Sequence, residues 1–168
     1  MATELYDITV PVFLRGFAAM AKFLDKARAY AAEHELPDEA LLEARLYEDM
    51  APLTAQIQRA SDAAKFTAVR LGQITGPAMP DTEASFDELQ ARIAATMGFL
   101  ESVDPAAING REDADITITT PNKSFHMLGR AYALNFALPN FYFHTTTAYA
   151  ILRAKGVPLG KMDFLGGI

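Results

Sequence analysis

His144 lies in LPNFYFHTTTAYAILR, residues 138–153, an apolar and aromatic stretch of helical length. An imidazole in such a place has three uses: a hydrogen bond within a core, a metal ligand, or a proton acceptor in a cavity. If the segment is a helix, Phe141, Thr145, Ala148, Ile151 and Leu152 share its face at spacings of three and four, so the ring points where the core residues point. One outcome is a core histidine bonded to a single neighbour, such as a carbonyl or a tyrosine, that keeps the helices in register. The other is a ligand or general base in a cavity between helices, where bundles keep their sites.

A zinc-type site takes three or four donors, on one helix at i and i+4 or contributed by a facing helix. Four residues either side of His144 stand Asn140 and Ala148, while His34 falls in the polar AAEHELP and His126 in a predicted strand. No histidine shares a helical spacing with His144. The remaining candidates are polar groups on or near helices. Asp62 lies between Gln58 and Lys65 at helical spacing, a pattern that is more often a solvated face than a site. Tyr142 and Tyr149 flank the histidine on other faces of its helix, where packing with a wet hydroxyl is the plainer role. No GxSxG, P-loop or GxGxxG pattern is present, and no pair of carboxylates stands out for acid–base hydrolysis.

The composition bounds the function further. With 168 residues, 51% of them hydrophobic, the chain is read as one domain over residues 1–168. A net charge of -6, with 15 basic residues scattered along the chain, argues against a nucleic-acid partner. No apolar run is long enough to span a bilayer, so no membrane partner is expected. The absence of cysteine removes disulfides, thiolate metal sites and cysteine nucleophiles together. A cytoplasmic location follows as the simplest reading, because MATELYDITVPVFLRG lacks the basic start of a signal peptide. The sequon at Asn122 then carries no meaning.

Four amphipathic patterns must position these residues. Val10, Phe13, Phe17, Met20, Leu24, Ala27 and Ala31 form the stripe of a long first helix that starts near Pro11, with an extra turn over residues 5–9 as an option. Asp38 caps a short crossing helix. Asp49, with Pro52 in the first turn, opens a second long helix through Leu53, Ile57, Ala60, Ala64 and Leu71 to about Gln73. Ser85 and Glu88 form a capping box for a third, along Phe86, Leu89, Ile93, Met97 and Leu100. DITITT and SFHML, joined by the turn residues PNK, predict a β-hairpin lying on the helices. Pro139 and Asn140 open the fourth helix, which stops at Gly156. The long link between the first two helices favours a crossover over a simple up-down-up-down order. In GVPLGKMDFLGG, the glycines and Pro158 forbid helix, yet the apolar residues demand cover, so this tail is expected to fold back. Phe23, Phe143 and Tyr149 lie off the core stripes and predict aromatic area for a partner.

The run LPNFYFHTTTAYAILRAKGVPLGKMDFLG, residues 138–166, with YDITVPVFLRGF, residues 6–17, resembles an uncharacterised family of bacterial and fungal proteins carried as a domain of unknown function. That family is placed in the DinB/YfiT-like superfamily. The resemblance covers essentially the whole chain and implies a mainly α, DinB/YfiT-like four-helix bundle with a small β-hairpin before the last helix. It also implies a homodimer. Many superfamily members bind a divalent metal through one histidine on helix two and a His-x-x-x-His pair on the last helix, and some are thiol-dependent transferases or hydrolases. Carried over, His144 matches the first of the pair, Ala148 stands at the second, and the helix-two histidine falls near Gln56. The expectation is therefore a small-molecule pocket with His144, Gln56, Tyr142, Asn140 and Asp62 as candidates, no metal ligand set and no cofactor. The alternatives are a metal-dependent hydrolase or transferase with an incomplete histidine set, holding a divalent metal, and a purely structural or interaction protein.

Overall fold

The computed structural model describes residues 3–120 and 122–166. Along the chain run α1 (Val10–Glu33), α2 (Glu39–Leu42), α3 (Leu53–Gly72), α4 (Phe86–Glu101), α5 (Pro105–Ile108), β1 (Asp115–Thr119) and β2 (Ser124–Leu128). There follow α6 (Gly129–Tyr132), a π-helical turn (Ala133–Ala137), α7 (Leu138–Ala154) and α8 (Lys161–Leu165). The chain is mainly α, and the two strands pair antiparallel before the last long helix, with Ile116 opposite Met127 and Ile118 opposite Phe125. Pro121, the first residue of the predicted turn, lies outside the described residues, as do the last two residues of the tail.

The four long helices close a ring in the order α1, α4, α3, α7. Side-chain pairs give their directions. Arg28 late in α1 pairs with Asp87 at the start of α4, and the Tyr6 N–H ahead of α1 donates to Asn109 beyond α4, so these two helices are antiparallel. Phe13 and Phe17 meet Phe141 while Phe23 meets Tyr149, so α1 and α7 run parallel. Gln56 reaches His144 and Thr67 reaches Tyr132, so α3 opposes α7. Sequence-adjacent α1 and α3 thus occupy a diagonal of the ring, while α3 and α4 run parallel, so the lengthwise crossover is residues 73–85 between α3 and α4 and not the expected segment between the first two long helices.

Local chemistry sets the ends. Thr9 Oγ1 donates to the Leu5 carbonyl at 2.8 Å, closing the extra turn before α1. The Glu88 N–H donates to Ser85 Oγ at 3.2 Å, as expected, but Glu88 reaches back to the Ala84 N–H and not to that of Ser85. Pro52 is itself the N-cap of α3, one position ahead of the first turn where it is expected.

Three further expectations are corrected. The last helical run begins at Gly129, not at Pro139. Proline lacks an N–H and crowds the carbonyl four residues back; the π-helical turn just before Pro139 relaxes that spacing, so the helix passes through the proline without ending. Second, the C-terminal segment does fold back, with Val157 and Leu159 buried, but Lys161–Leu165 forms a short helix despite the flanking glycines. Asp163 accepts from the Gly160 N–H and pairs with Lys26 at 2.7 Å, which ties this helix to α1. Third, Phe23 is only 1% exposed, stacked on Phe164 and edge-on to Tyr149, so the tail and not a partner covers it.

Two glycines allow close approaches that seat the site. The Phe141 ring lies on Gly16, where a Cβ would overlap it, so α1 and α7 meet with Phe141 edge-on to both Phe13 and Phe17. Each such buried ring stabilises by roughly 1.5–3 kcal/mol. At Gly129 a Cβ would overlap the Arg111 carbonyl oxygen. That contact, with the Gly129 N–H donating to the Ala114 carbonyl at 2.9 Å, pins the hairpin where it enters the last helical run.

Candidate functional site: a cavity at His144

The antiparallel pair α3 and α7 leaves a groove on one side, and the hairpin roofs it. The roof is Ile118, Thr119 and Thr120; β1 alternates so that Ile116 and Ile118 face the helices while their neighbours face solvent. From α3 come Arg59, Asp62, Ala63, Phe66 and Arg70, a single stripe at steps of three and four. From the opposite wall come Tyr132, Phe136, Ala137, Asn140 and His144. The cavity, open to solvent along one side, has a volume of about 260 Å³.

His144 is 7% exposed, and its Nδ1 lies 2.8 Å from Gln56 Oε1. The amide orientation follows from its other contact: Gln56 Nε2 donates to the Ala51 carbonyl at 2.9 Å, so Oε1 is the acceptor that faces the ring. Nδ1 must therefore carry the proton. Nε2 is left with its lone pair, no protein donor reaches it among the described residues, and His144 lines the cavity. Burial, helped by the positive charge of Arg59, depresses the His144 pKa from 6.5 to about 4. The imidazole is neutral at pH 7, a hydrogen-bond acceptor with a fixed tautomer.

Asp62 lines the cavity, but its charge is engaged from behind. Oδ1 accepts from Lys65 at 2.8 Å and from the buried Arg92 at 3.4 Å. Arg92 also holds Glu83 at 2.9 Å and Asp81 at 3.0 Å, fastening the loop between α3 and α4. Burial pushes the Glu83 carboxyl up, but the hydrogen bonds from Arg92 and Gln58 outweigh it and hold its pKa below the usual value. At the other end of the cavity a relay fixes Arg70. Its guanidinium donates to Tyr132 Oη at 3.1 Å, Tyr132 turns its own O–H to Thr67 at 3.4 Å, and Thr67 donates to the Ala63 carbonyl at 2.6 Å. The same guanidinium sits 5.1 Å from the Phe66 ring centre.

The structure brings together His144, Asn140 and Asp62 on the cavity wall and places Gln56 directly behind the histidine. It does not bring Tyr142 there. That ring lines a separate cleft of about 220 Å³ between α1, α7 and α8, because it stands two residues before His144, about 200° round the helix. His34 stacks on Tyr30, and His126 lies on the exposed strand edge beside Asp115, both apart from the cavity. Arg59, Phe66, Arg70 and Tyr132 were not singled out from the sequence. A legible signal existed in the α3 stripe, where two arginines eleven residues apart bracket Asp62 and Phe66 on one face.

The superfamily's metal can be tested against these donors. Two ligands on one tetrahedral ion at ~2.1 Å lie ~3.4 Å apart, whereas Gln56 and His144 touch directly at 2.8 Å. Ala148, at the position of the second helix ligand, presents a buried methyl group. Among the described residues no group of three His, Asp or Glu side chains is placed to hold a metal ion. The donor set does not fit the group, and no step is drawn through it.

Comparison with known proteins agrees with the architecture. The family described as Domain of unknown function (DUF1993) matches residues 5–165. Among solved structures, the chain is similar to a DinB family member protein from Shewanella denitrificans, with 38% identity and a TM-score of 0.89, over 98% of this chain and 93% of that one. No curated protein matches.

Proposed function

The chain belongs to the DUF1993 family, with a DinB-like helical fold, and on that premise we propose that it is a small-molecule-binding protein whose ligand occupies the cavity at His144. The observation that supports this most directly is the state of His144. A purely structural histidine in a core has both ring nitrogens satisfied or packed; here Gln56 consumes one and fixes the tautomer, while the other has no protein partner among the described residues in a side chain that lines an open cavity. The ligand therefore supplies a hydroxyl or N–H to Nε2. The reading needs no metal, and the chain acts in the cytoplasm.

The test is a fragment titration followed by the histidine side-chain NMR signals. His34 and His126, both away from the cavity, serve as internal controls. Hydroxyl-bearing aromatic fragments at millimolar concentration are expected to move the His144 resonances alone. A set that moves none of them, or moves all three alike, defeats the reading.

A homodimer completes it. No helix among the described residues is long and apolar enough to cross a membrane, and Phe143 remains 56% exposed on α7 after the tail has covered Phe23. Light scattering at tens of micromolar is expected to give the dimer mass, and a monomer mass removes this part.

A further inference from the structure

Resting on the reading of the His144 cavity as a ligand pocket, we infer that its occupant is an elongated organic carboxylate, with its carboxylate on Arg70 and a hydroxyl or N–H at the far end donating to His144 Nε2. The charge inventory carries the sign. Three ionised groups line the cavity: Arg59, Asp62 and Arg70. Asp62 is neutralised from outside by Lys65 and Arg92, whereas neither Arg59 nor Arg70 is paired with a carboxylate among the described residues. On a chain of net charge -6, this cavity holds uncompensated positive charge.

Arg70 is the better anchor of the two. Arg59 is exposed, while Arg70 is half-buried and its guanidinium is held by Tyr132 and the Phe66 face before any ligand arrives. A partly desolvated, oriented guanidinium is suited to a planar carboxylate through paired N–H donors. No lysine lines the cavity to supply the additional charge a dianion would favour.

The length follows from helix geometry. Gln56, beside His144, and Arg70 are separated by fourteen residues of α3, roughly 21 Å of rise. Arg70 leans back one turn onto Phe66, and His144 leans toward the start of α7, so the gap between the functional groups is on the order of 10 Å. Phe66, Ala63, Phe136 and Ala137 line the middle of it, which suits an aromatic or apolar body. A phenol joined to a short carboxylate chain has this layout.

The probes are 3-(4-hydroxyphenyl)propionate and its primary amide, which share shape and differ in charge, titrated by calorimetry with the His144 signals as a second readout. The acid is expected to bind at least about ten-fold more tightly than the amide, and Arg70→Gln is expected to erase that preference while the amide's affinity stays. Tyr132→Phe, which removes the hydroxyl shared by Arg70 and Thr67 and keeps the ring, is expected to narrow the preference and serves if Arg70→Gln does not fold. Equal affinity for acid and amide, or a preference that survives both variants, overturns the carboxylate assignment and leaves the pocket reading standing. Failure of both probes to bind also overturns it, and the pocket reading then answers to its own fragment titration.

Discussion

Replacing His144 by alanine separates a buried neutral imidazole from an ordinary one through pH. At pH 7.5 the substitution removes the bond from Nδ1 to Gln56 Oε1 and leaves that oxygen, in a 1% exposed side chain, without a donor. An unsatisfied buried acceptor of this kind costs about 1–3 kcal/mol. The wild-type protein carries an additional dependence that the variant lacks. In the unfolded chain His144 takes a proton near pH 6.5, whereas in the folded chain it resists until about pH 4. The unfolded state thus binds more protons between these values, and stability that is present above pH 6.5 is lost as pH falls toward 4. With those two values the loss between pH 7.5 and 4.5 works out at about 2.5 kcal/mol as an upper figure, reduced to the extent that solvent reaches the ring through the cavity.

The difference in stability between wild type and His144→Ala should therefore shrink from about 2 kcal/mol at pH 7.5 to near zero at pH 4.5. Urea denaturation of both proteins across this range measures it. The shared acid titrations, such as that of Glu83 held down by Arg92, cancel in the difference. Metal content should be the same in both proteins. A difference that stays constant from pH 7.5 to 4.5 refutes the buried neutral histidine, whatever its size.

Other outcomes follow from the packing. Arg92→Met leaves Asp62, Asp81 and Glu83 without their shared cation; a loss of about 3 kcal/mol in urea unfolding at pH 7 is expected, diminishing below about pH 4.5 as Glu83 protonates, and a loss under half that size counts against the network. Deleting Val157–Ile168 uncovers Phe23 and removes the buried Val157 and Leu159, so the melting temperature should fall or the protein aggregate; an equally stable soluble product contradicts the role of the tail. Gly129→Ala sets a methyl group against the Arg111 carbonyl and should loosen the hairpin roof, seen as faster amide exchange over β1; unchanged exchange there rules out the contact as its anchor.

The helices could be read from the sequence because each buries one stripe at steps of three and four, and that periodicity is local. The same logic aimed His144 inward. Its partner carries the same mark: Gln56, three residues after Leu53 and four before Ala60, sits on the buried stripe of α3 as His144 does on that of α7, yet only the resemblance to a histidine-bearing helix drew it out, because spacing within one helix does not say which residue of another it meets. Phe23 was misassigned because its cover, Phe164, is supplied from the far end of the chain, and no periodicity within α1 foretells a tail that folds back. Arg59 and Arg70 show the same limit at the site. On an isolated helix their spacing with Asp62 describes a wet surface, and it becomes the wall of a cavity only when the hairpin closes over α3 and α7. Closure changes the chemistry as well as the location. Under the Ile118 roof the same stripe is partly withdrawn from water, with Asp62 paired from behind by Lys65 and Arg92 and Arg70 held by the Tyr132 phenol. The features on which the carboxylate assignment rests are thus products of tertiary assembly, and the sequence shows them only as residues awaiting a roof.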